Sequence, residues 1–380
     1  MTTFLLYDDS LRSPEMRHEV GLAIGDPIVF LAHDGRRIVV GSILERGGFE
    51  QREDVVDEFW SYDELGYEDL VKDPDFPLHH IGSELVLRAL RKAGVAAASV
   101  PPTFRLNVAD YLREAGISLD VDPDVWQVRR RQKTPWELEG IERAQRAAET
   151  AMLTAARMLR DAAPTNDGRL RFDGEILTAE LIREAMQAEL LSQGAESEEI
   201  LVQTGDSCLD GHSLGTGPIR HNESCIIDCF PRDRRTGVYT DMTRTFVPGT
   251  PSDDLVRLHR HCLKALDIAF ESIKPGHKDA HEKVTEYFHE HGFPTREHHE
   301  GADPLVEGYP YALGHGVGLE VHERPWMGRR SDELLAGDVV AVEPGLYFAR
   351  VGGVRLEDTV LVSDEGPMHL TDPFPYDLEP

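Results

Sequence analysis

Acidic residues in the second half of the chain lie inside stretches that otherwise resemble buried β-strands. They are Asp228, Asp241, Glu343 and Glu357, and they form two pairs whose members are 13 and 14 residues apart. Each pair predicts a hairpin with one acid on each strand. A carboxylate in an apolar strand is costly unless it is paired or binds a metal. One such acid is usually a salt-bridged or edge residue, but four in two facing hairpins predict a negative pocket that cations neutralise.

Two histidines lie between the predicted hairpins, in the glycine-rich segment LGHGVGLEVHERP. His315 is flanked by Gly314 and Gly316, which let neighbouring backbone approach closely and leave the imidazole unhindered. His322 follows seven residues later in a stretch that alternates like a strand. A lone histidine in such a segment is more often structural. Two of them beside four acids favour a metal-binding or catalytic role.

The charge and cysteine content argue against several classes of protein. The chain has 40 Lys and Arg against 69 Asp and Glu, which gives a formal net charge of −29. Because such a chain repels phosphate and anionic lipid, we expect neither a nucleic-acid partner nor a membrane partner. The 4 cysteines form no CxxC pair, and neither a signal peptide nor an apolar stretch of about 20 residues is visible. A cytoplasmic protein is therefore expected.

The first part of the chain alternates between strand-like and helix-like segments. Two β-rich runs flank Asp34-Gly35, a strong hairpin signal, and two amphipathic segments end at Gly94 and Gly116. This alternation predicts a small α/β domain over residues 1–130, without a catalytic motif. The adjacent His79-His80 is expected in a solvated loop rather than in a metal site.

A domain boundary is predicted near residue 130. The basic run at 129–133 is interpreted as a linker that leads into a helix. Thr134 and Glu137, with a proline at the first helical position, form the sequence pattern of a capping box and start a long Ala-rich helix. The second domain, residues 131–380, then contains a helix from about Thr178, strands over 199–248, helices over 252–273 and 278–291, and strands over much of 312–363.

Four motifs, in order, resemble those of the pita-bread metallopeptidases: DMTRTF, GHGVGLEVHERP, VEPG and GGVRLED. The pattern is most similar to that of prolidases (Xaa-Pro dipeptidases) and Xaa-Pro aminopeptidases, and it covers about residues 133–365. The resemblance implies an α+β fold, with a creatinase-like α/β N-terminal domain followed by a pita-bread catalytic domain. It also implies two divalent metal ions per chain, held by Asp228, Asp241, His315, Glu343 and Glu357.

The resemblance assigns a role to each predicted ligand. Asp241 and Glu357 would bridge both ions, Asp228 would complete one site, and His315 with Glu343 would complete the other. Glu343 would also carry a proton to the leaving nitrogen during catalysis.

Further residues receive roles from the same resemblance. His322 and His212 would act in catalysis, and His322, Tyr311 and Arg355 would bind or position the substrate. Arg355 would do so by orienting Glu357 through an ion pair.

Three features depart from the family pattern. Asp228 is followed by Cys229 and Phe230, where the family usually has Asp-x-Gly, and the Asp228–Asp241 hairpin is about two residues longer than usual. Tyr311 stands where a histidine is common, four residues before His315. The hairpin changes leave the ligands in place, whereas Tyr311 bears on specificity.

The predicted function is that of a metal-dependent peptidase. It would hydrolyse the bond before proline in Xaa-Pro dipeptides or N-terminal Xaa-Pro peptides, and the sequence does not separate these two substrate classes. Mostly oxygen ligands favour Mn²⁺, with Co²⁺ or Zn²⁺ as alternatives. A homodimer is expected from the resemblance. Two alternatives stay open: another C–N hydrolase on the same fold, and a binding protein that has lost catalysis.

Overall fold

The computed structural model describes residues 2–52 and 55–380. Within these ranges the chain divides into two compact units, Met1–Arg130 and Arg131–Pro380. The division coincides with the boundary expected from the basic run and the capping box. Each unit buries its own hydrophobic clusters.

The N-terminal unit is built on one mixed sheet with the strand order β4-β3-β2-β1-β5-β6. Its strands are β1 (Phe4–Asp8), β2 (Ile28–His33), β3 (Arg36–Gly41), β4 (Glu58–Ser61), β5 (Ala97–Val100) and β6 (Ser118–Val121). Its helices are α1 (Pro14–Val20), α2 (Arg46–Phe49), α3 (Tyr67–Lys72), α4 (Ile81–Ala93), α5 (Leu106–Glu114) and α6 (Pro123–Arg131). Successive residues of β2 belong to different clusters, Val29 to one and Phe30 to the other, so both faces of the sheet are covered.

Turn residues account for the local structure of this unit. Asp34 and Gly35 have φ values of 50° and 78°, which the tight β2–β3 hairpin requires. Helix α4 ends at a left-handed Gly94, as the sequence predicts. The prediction of an irregular loop at His79-His80 is corrected, because these residues belong to a short 3₁₀ helix, Leu78–His80.

The C-terminal unit contains the longer helices. They are α7 (Pro135–Asp161), α8 (Ala179–Ser192), α9 (Asp253–Ser272) and α10 (Ala280–Glu290). The predicted capping box starts α7: Thr134 Oγ1 accepts from Glu137 N at 3.3 Å, and Thr134 N donates to Glu137 Oε2 at 2.7 Å. Thr178 caps α8 in the predicted place.

The basic run 129–133 is not simply a linker, which corrects the sequence interpretation. Its first residues complete α6, which begins after Asp122. The Asp122 carboxylate accepts from Val125 N at 2.9 Å and so acts as the helix cap. The pair Asp122-Pro123 was the available signal, since an N-cap residue followed by proline marks a helix start.

Several small antiparallel sheets form the rest of the C-terminal unit. Their orders are β7-β8-β9, β10-β13, β11-β12-β14, β16-β15-β17-β20-β21 and β18-β19. The strands are β7 (Ala163–Pro164), β8 (Leu170–Phe172), β9 (Glu175–Ile176), β10 (Ala195–Glu196), β11 (Ile200–Thr204), β12 (Cys225–Cys229), β13 (Arg232–Asp233), β14 (Met242–Phe246), β15 (Gly314–Gly316), β16 (Glu323–Met327), β17 (Val339–Val342), β18 (Gly345–Phe348), β19 (Gly352–Arg355), β20 (Asp358–Ser363) and β21 (Gly366–His369).

The two predicted acid-bearing hairpins are more elaborate than the sequence suggests. In the first, β12 pairs with β14, but Asp241 lies one residue before β14 begins. In the second, β17 pairs with β20, and the β18–β19 hairpin is inserted between them. Glu357 therefore lies in the short break between β19 and β20 rather than within a strand.

Among the described helices, none combines the length and hydrophobicity that a membrane-spanning segment requires.

Candidate metal centre

Strand register brings the acids of the two hairpins to one place. Asp228 lies on β12 opposite Thr243, so their side chains share a face of the sheet. In the other hairpin Val342 pairs with Asp358, which leaves Glu343 and Glu357 at the same end of that strand pair. A hydrogen bond from Glu357 N to Thr243 O, at 3.1 Å, joins the two sheets.

His315 is carried by β15, a strand held tightly between two neighbours. A Cβ atom at Gly314 would lie 2.0 Å from Ala341 O, and one at Gly316 would lie 2.3 Å from Arg324 O. Only glycine permits this approach on both sides of the histidine. The predicted role of the glycine pair, close backbone approach around an oriented imidazole, therefore matches the packing.

Three of the predicted ligands form a compact cluster. Asp241, His315 and Glu357 each offer one ligand atom, and these atoms lie within 4.8 Å of one another. His315 Nε2 is 3.8 Å from Asp241 Oδ2 and 3.7 Å from Glu343 Oε1. These distances are too long for hydrogen bonds but suit atoms that share a cation between them.

Arg355 is the cation that accompanies the four carboxylates. Its Nη2 donates to Asp228 Oδ2 at 2.5 Å, its Nε donates to Thr243 Oγ1 at 3.2 Å, and its Nη1 lies 3.3 Å from Tyr347 Oη. The sequence predicted that Arg355 would orient Glu357, and this is corrected, because the direct ion-pair partner of Arg355 is Asp228. Glu357 instead accepts from Thr243 Oγ1 at 2.6 Å.

Two carboxylate oxygens of the cluster are buried without a hydrogen-bond partner among the described residues. They are Asp228 Oδ1 and Glu357 Oε1. An unsatisfied buried oxygen is costly, and a buried anionic one more so. Each belongs to a carboxylate whose other oxygen is satisfied, so the free oxygen is available to a cation. The donor set therefore fits divalent cations with a preference for oxygen.

Without a cation, the buried carboxylates of the centre repel one another. Burial first, and then the neighbouring carboxylates, hold the pKa values of Asp241 and Glu357 well above their usual range. Burial raises the pKa of Glu343 to about 7, against the opposing effect of Arg355. Protons or metal ions must neutralise part of this charge.

His315 is prepared to act as a neutral ligand. Its Nδ1 lies 3.1 Å from Gly316 O and donates to it, which leaves the Nε2 lone pair facing the carboxylates. Burial lowers the pKa of His315 to about 4, so the ring is uncharged near neutral pH. A backbone carbonyl that accepts from the other ring nitrogen and so fixes the tautomer is typical of metal-binding histidines.

The predicted histidines outside the cluster lie close to it. The ring of His322 meets that of His315 edge to face at 4.4 Å. Burial lowers the pKa of His322, and charge on His212 lowers it further. His212 itself is exposed, on the loop that follows the 3₁₀ helix Gly205–Leu209.

Tyr311 lies beside the same loop. Its hydroxyl donates to Leu209 O and accepts from Gly211 N, both at 3.0 Å. Its ring packs edge to face on Tyr347 at 5.4 Å. The structure thus brings every predicted site residue to one region, although Arg355 and Tyr311 have protein partners that the sequence did not reveal.

Sequence reasoning missed Thr243, Tyr347 and Thr359. Thr243 contacts both Glu357 and Arg355, and Tyr347 contacts Arg355. Thr359 Oγ1 accepts from Asp241 N at 3.2 Å and donates to Asp241 O at 2.9 Å. The signal for the two threonines was spacing: each lies two residues after a predicted ligand, the separation that places side chains on one face in an extended chain.

Comparison with known proteins agrees with this geometry. Residues 139–364 match the family model described as "Metallopeptidase family M24", which is more than half of the 380-residue chain. The chain belongs to metallopeptidase family M24. The sequence-based resemblance to pita-bread metallopeptidases is thereby confirmed.

Curated M24 relatives match over part of their length. The chain is 36% identical over 135 residues to a Xaa-Pro dipeptidase of Pyrococcus furiosus, which is 35% of either chain. It is 31% identical over 183 residues to an uncharacterised peptidase of Bacillus subtilis, with 47% of this chain and 49% of the relative covered. The chain thus spans between about a third and a half of the length of these curated relatives.

Solved structures of the same type match over nearly the whole chain. A Xaa-Pro dipeptidase from Bacillus anthracis superposes with a TM-score of 0.76 at 22% identity, covering 99% of this chain and 94% of that one. An X-Pro aminopeptidase from Thermotoga maritima gives the same TM-score at 20% identity, with 99% and 97% covered. The predicted α+β fold with a pita-bread catalytic domain is confirmed.

Proposed function

We propose that this M24 protein is a metal-dependent peptidase that hydrolyses the bond before proline in Xaa-Pro dipeptides or N-terminal Xaa-Pro peptides. The observation that carries the proposal is the cluster of Asp241, His315 and Glu357, with one buried and unsatisfied carboxylate oxygen on Glu357 and another on Asp228. The names of the Pyrococcus furiosus and Bacillus anthracis relatives support the substrate class.

The proposed centre holds two divalent ions. Asp228, Asp241, His315, Glu343 and Glu357 would hold them. Such ions, when bound, make a water acidic enough to attack at neutral pH and polarise the scissile carbonyl. The predominance of carboxylate oxygen supports Mn²⁺ as the native metal.

Protein groups supply the proton chemistry. Glu343 is 24% exposed, so a bound substrate can reach its carboxylate, which can take and release a proton. We assign it the transfer of a proton to the departing proline nitrogen. His322, beside His315, would donate a hydrogen bond to the oxyanion as the carbonyl carbon becomes tetrahedral. His212, on the loop that contacts Tyr311, would assist at the same bond.

The decisive experiment is an assay of the Mn²⁺-loaded protein on Xaa-Pro, Xaa-Pro-Yaa and longer peptides. We expect release of the N-terminal residue, abolished by a chelator and restored by metal. Activity confined to dipeptides identifies a dipeptidase, and activity that rises with length identifies an aminopeptidase. Hydrolysis of none of these peptides by fully metal-loaded protein overturns the proposal and favours another C–N hydrolase or a binding protein.

A variant tests the role of Glu343 within this assay. Glu343→Gln is expected to reduce kcat by about a hundredfold or more, the usual contribution of a positioned acid–base group. Glu365→Gln, at an exposed turn between β20 and β21, is the matched control and should leave kcat unchanged. Elemental analysis tests the metal: two Mn per chain after purification without added metal supports the assignment, whereas another ion or a single ion contradicts it.

Two properties of the whole protein complete the proposal. A homodimer is proposed from the family resemblance, and sedimentation at micromolar concentration tests it, with a monomer as the contradicting result. A cytoplasmic location is supported by four free and buried thiols, at Cys208, Cys225, Cys229 and Cys262. Fractionation of the source cells tests the location.

A further inference from the structure

Tyr311 occupies an unusual position between the metal centre and a distant loop. It lies three residues before β15, the strand of His315, and its side chain is 38% exposed. Its hydroxyl nevertheless makes two hydrogen bonds: it donates to Leu209 O and accepts from Gly211 N, each at 3.0 Å. A partly exposed tyrosine that makes two hydrogen bonds to one turn of backbone restrains that turn.

The loop also packs closely against the ring of Tyr311. A Cβ atom at Gly211 would lie 3.0 Å from both Cζ and Oη of Tyr311. Even an alanine at Gly211 would therefore press against the tyrosine ring. The residue after this glycine is His212, so the position of the Tyr311 ring defines where the His212 backbone runs.

The opposite side of the loop has its own anchor. The fully buried Gln203 donates from Nε2 to Asp210 O at 2.6 Å and to Ser213 O at 2.8 Å. The backbone of His212 is also restrained locally, because His212 N donates to Asp210 Oδ1 at 3.2 Å. Residues 209–213 are thus held by Gln203 from the interior and by Tyr311 from the exposed side.

The Tyr311 ring is itself supported from the metal centre. It packs on Tyr347, whose side chain is almost completely buried, at an interplanar angle of 77°. The Tyr347 hydroxyl lies 3.3 Å from Nη1 of Arg355, and Arg355 holds Asp228. A continuous series of contacts therefore runs from a predicted metal ligand to the loop of His212.

We propose that Tyr311 is a positioning residue that fixes residues 209–213 and thereby the position of His212. The proposal rests on the proposed peptidase function for its kinetic consequence, but not for its structural one. Tyr311 acts through the loop, since its hydroxyl is already engaged by protein backbone. This role differs from the direct substrate contact expected from the sequence.

The first test measures the loop without any substrate. Tyr311→Phe keeps the ring on Tyr347 and removes both hydrogen bonds, so amide hydrogen exchange in peptides that cover 209–213 should become at least several-fold faster. Tyr67→Phe is the matched control, since Tyr67 is 37% exposed in the N-terminal unit. Unchanged exchange in Tyr311→Phe overturns the proposal, whether or not the protein cleaves Xaa-Pro peptides.

The second test is a double-mutant cycle on an Xaa-Pro dipeptide. Tyr311→Phe alone should lower kcat by about tenfold, the order expected for two lost loop hydrogen bonds, with little change in KM and in metal content. In a His212→Ala background the same change should have almost no further effect, because the group that Tyr311 positions is gone. If Tyr311→Phe lowers kcat by the same factor in the His212→Ala background as in the wild type, Tyr311 contacts the substrate directly and the proposal is overturned.

The two ideas fail in distinguishable ways. If the wild-type protein cleaves no Xaa-Pro peptide, the proposed function fails, while hydrogen exchange still decides whether Tyr311 restrains the loop. If the wild type is active and Tyr311→Phe matches it in both kcat and exchange, the function stands and the positioning role is wrong.

Discussion

Arg355 donates from Nη2 to Asp228 Oδ2 at 2.5 Å, across 127 residues of sequence. This guanidinium compensates a site with four carboxylates, and it leaves the second oxygen of Asp228 buried and free of protein partners among the described residues. The ion pair orients Asp228: one carboxylate oxygen accepts from Arg355, and the other is free to bind a cation. The balance of charge at the centre therefore depends on Arg355.

Replacement of Arg355 by methionine is expected to weaken metal binding by about 10- to 100-fold, as is usual when a residue that orients a ligand is lost. Without the guanidinium, Asp228 loses its orientation and the carboxyl groups hold protons more tightly, so protons compete with the metal. Titration against a chelator of known affinity measures the change. Arg330→Met, at an exposed site, is the control, and equal affinities in the two variants would contradict the role given to Arg355.

Glu357→Gln should separate stability from metal binding. Gln keeps the acceptor for Thr243 but removes a buried charge that its neighbours repel, and it turns the unsatisfied Oε1 position into a donor. We expect the metal-free Tm to rise by roughly 3 °C, equivalent to about 1 kcal/mol, and the Tm gain on adding Mn²⁺ to disappear. Thermal unfolding with EDTA and with Mn²⁺ measures both, and a metal-free Tm below that of wild type would count against the repulsion.

The stability of the metal-free protein should fall as pH rises through the weakly acidic range. The pKa of Glu343 is raised from 4.5 to about 7 in the folded chain. Its stabilising contribution is therefore complete below about pH 4.5 and is lost as pH approaches 7. Asp241 and Glu357 act in the same direction. The contribution of His315 has the opposite sign, since its pKa falls from 6.5 to about 4 and its share is lost as pH falls through that range.

Metal binding reverses the trend because it requires deprotonated ligands. The difference in Tm between Mn²⁺-loaded and EDTA-treated protein should therefore widen from pH 5.5 to pH 8. Thermal unfolding in matched buffers measures it. Glu357→Gln is the control and should show a small difference at every pH. A difference in the wild type that narrows with rising pH would refute the assigned direction.

Gly140→Ala tests the packing of α7. Helix propensity alone favours alanine by about 1 kcal/mol. A Cβ atom at this position, however, would lie 2.2 Å from Thr236 Oγ1 and 2.5 Å from Val238 Cγ2. Overpacking of this kind usually costs about 1–3 kcal/mol, so we expect a net loss of stability in urea unfolding. The exposed neighbour Glu139→Ala is the control and should be nearly neutral.

Local signals in the sequence were sufficient for much of the fold. The capping box at Thr134, the left-handed Gly94 and the Asp34-Gly35 turn all lie where predicted. Each depends on interactions within a few residues, which a sequence displays directly. The four acids of the candidate centre were also predicted, because charge in or next to an apolar run is visible without a structure.

The remaining features depend on contacts between distant segments. The partner of Arg355 is Asp228 rather than the neighbouring Glu357, because strand register decides which carboxylate faces the guanidinium. The β18–β19 insertion is hidden for a similar reason: its residues have the same strand-like composition as β17 and β20. The hydrogen bonds of Tyr311 to a loop about a hundred positions earlier have no local signature.

The glycines on either side of His315 limit how the metal centre can be redesigned. Because Ala341 O and Arg324 O close in on both sides, the imidazole cannot be moved by substituting its neighbours without displacing the sheet. The adjustable components are the carboxylates of Asp241, Glu343 and Glu357, which come from strand ends and breaks. A change of metal preference is therefore best sought by directed evolution at positions around Glu343 and Glu357, with the histidine strand kept as a constant part of the scaffold.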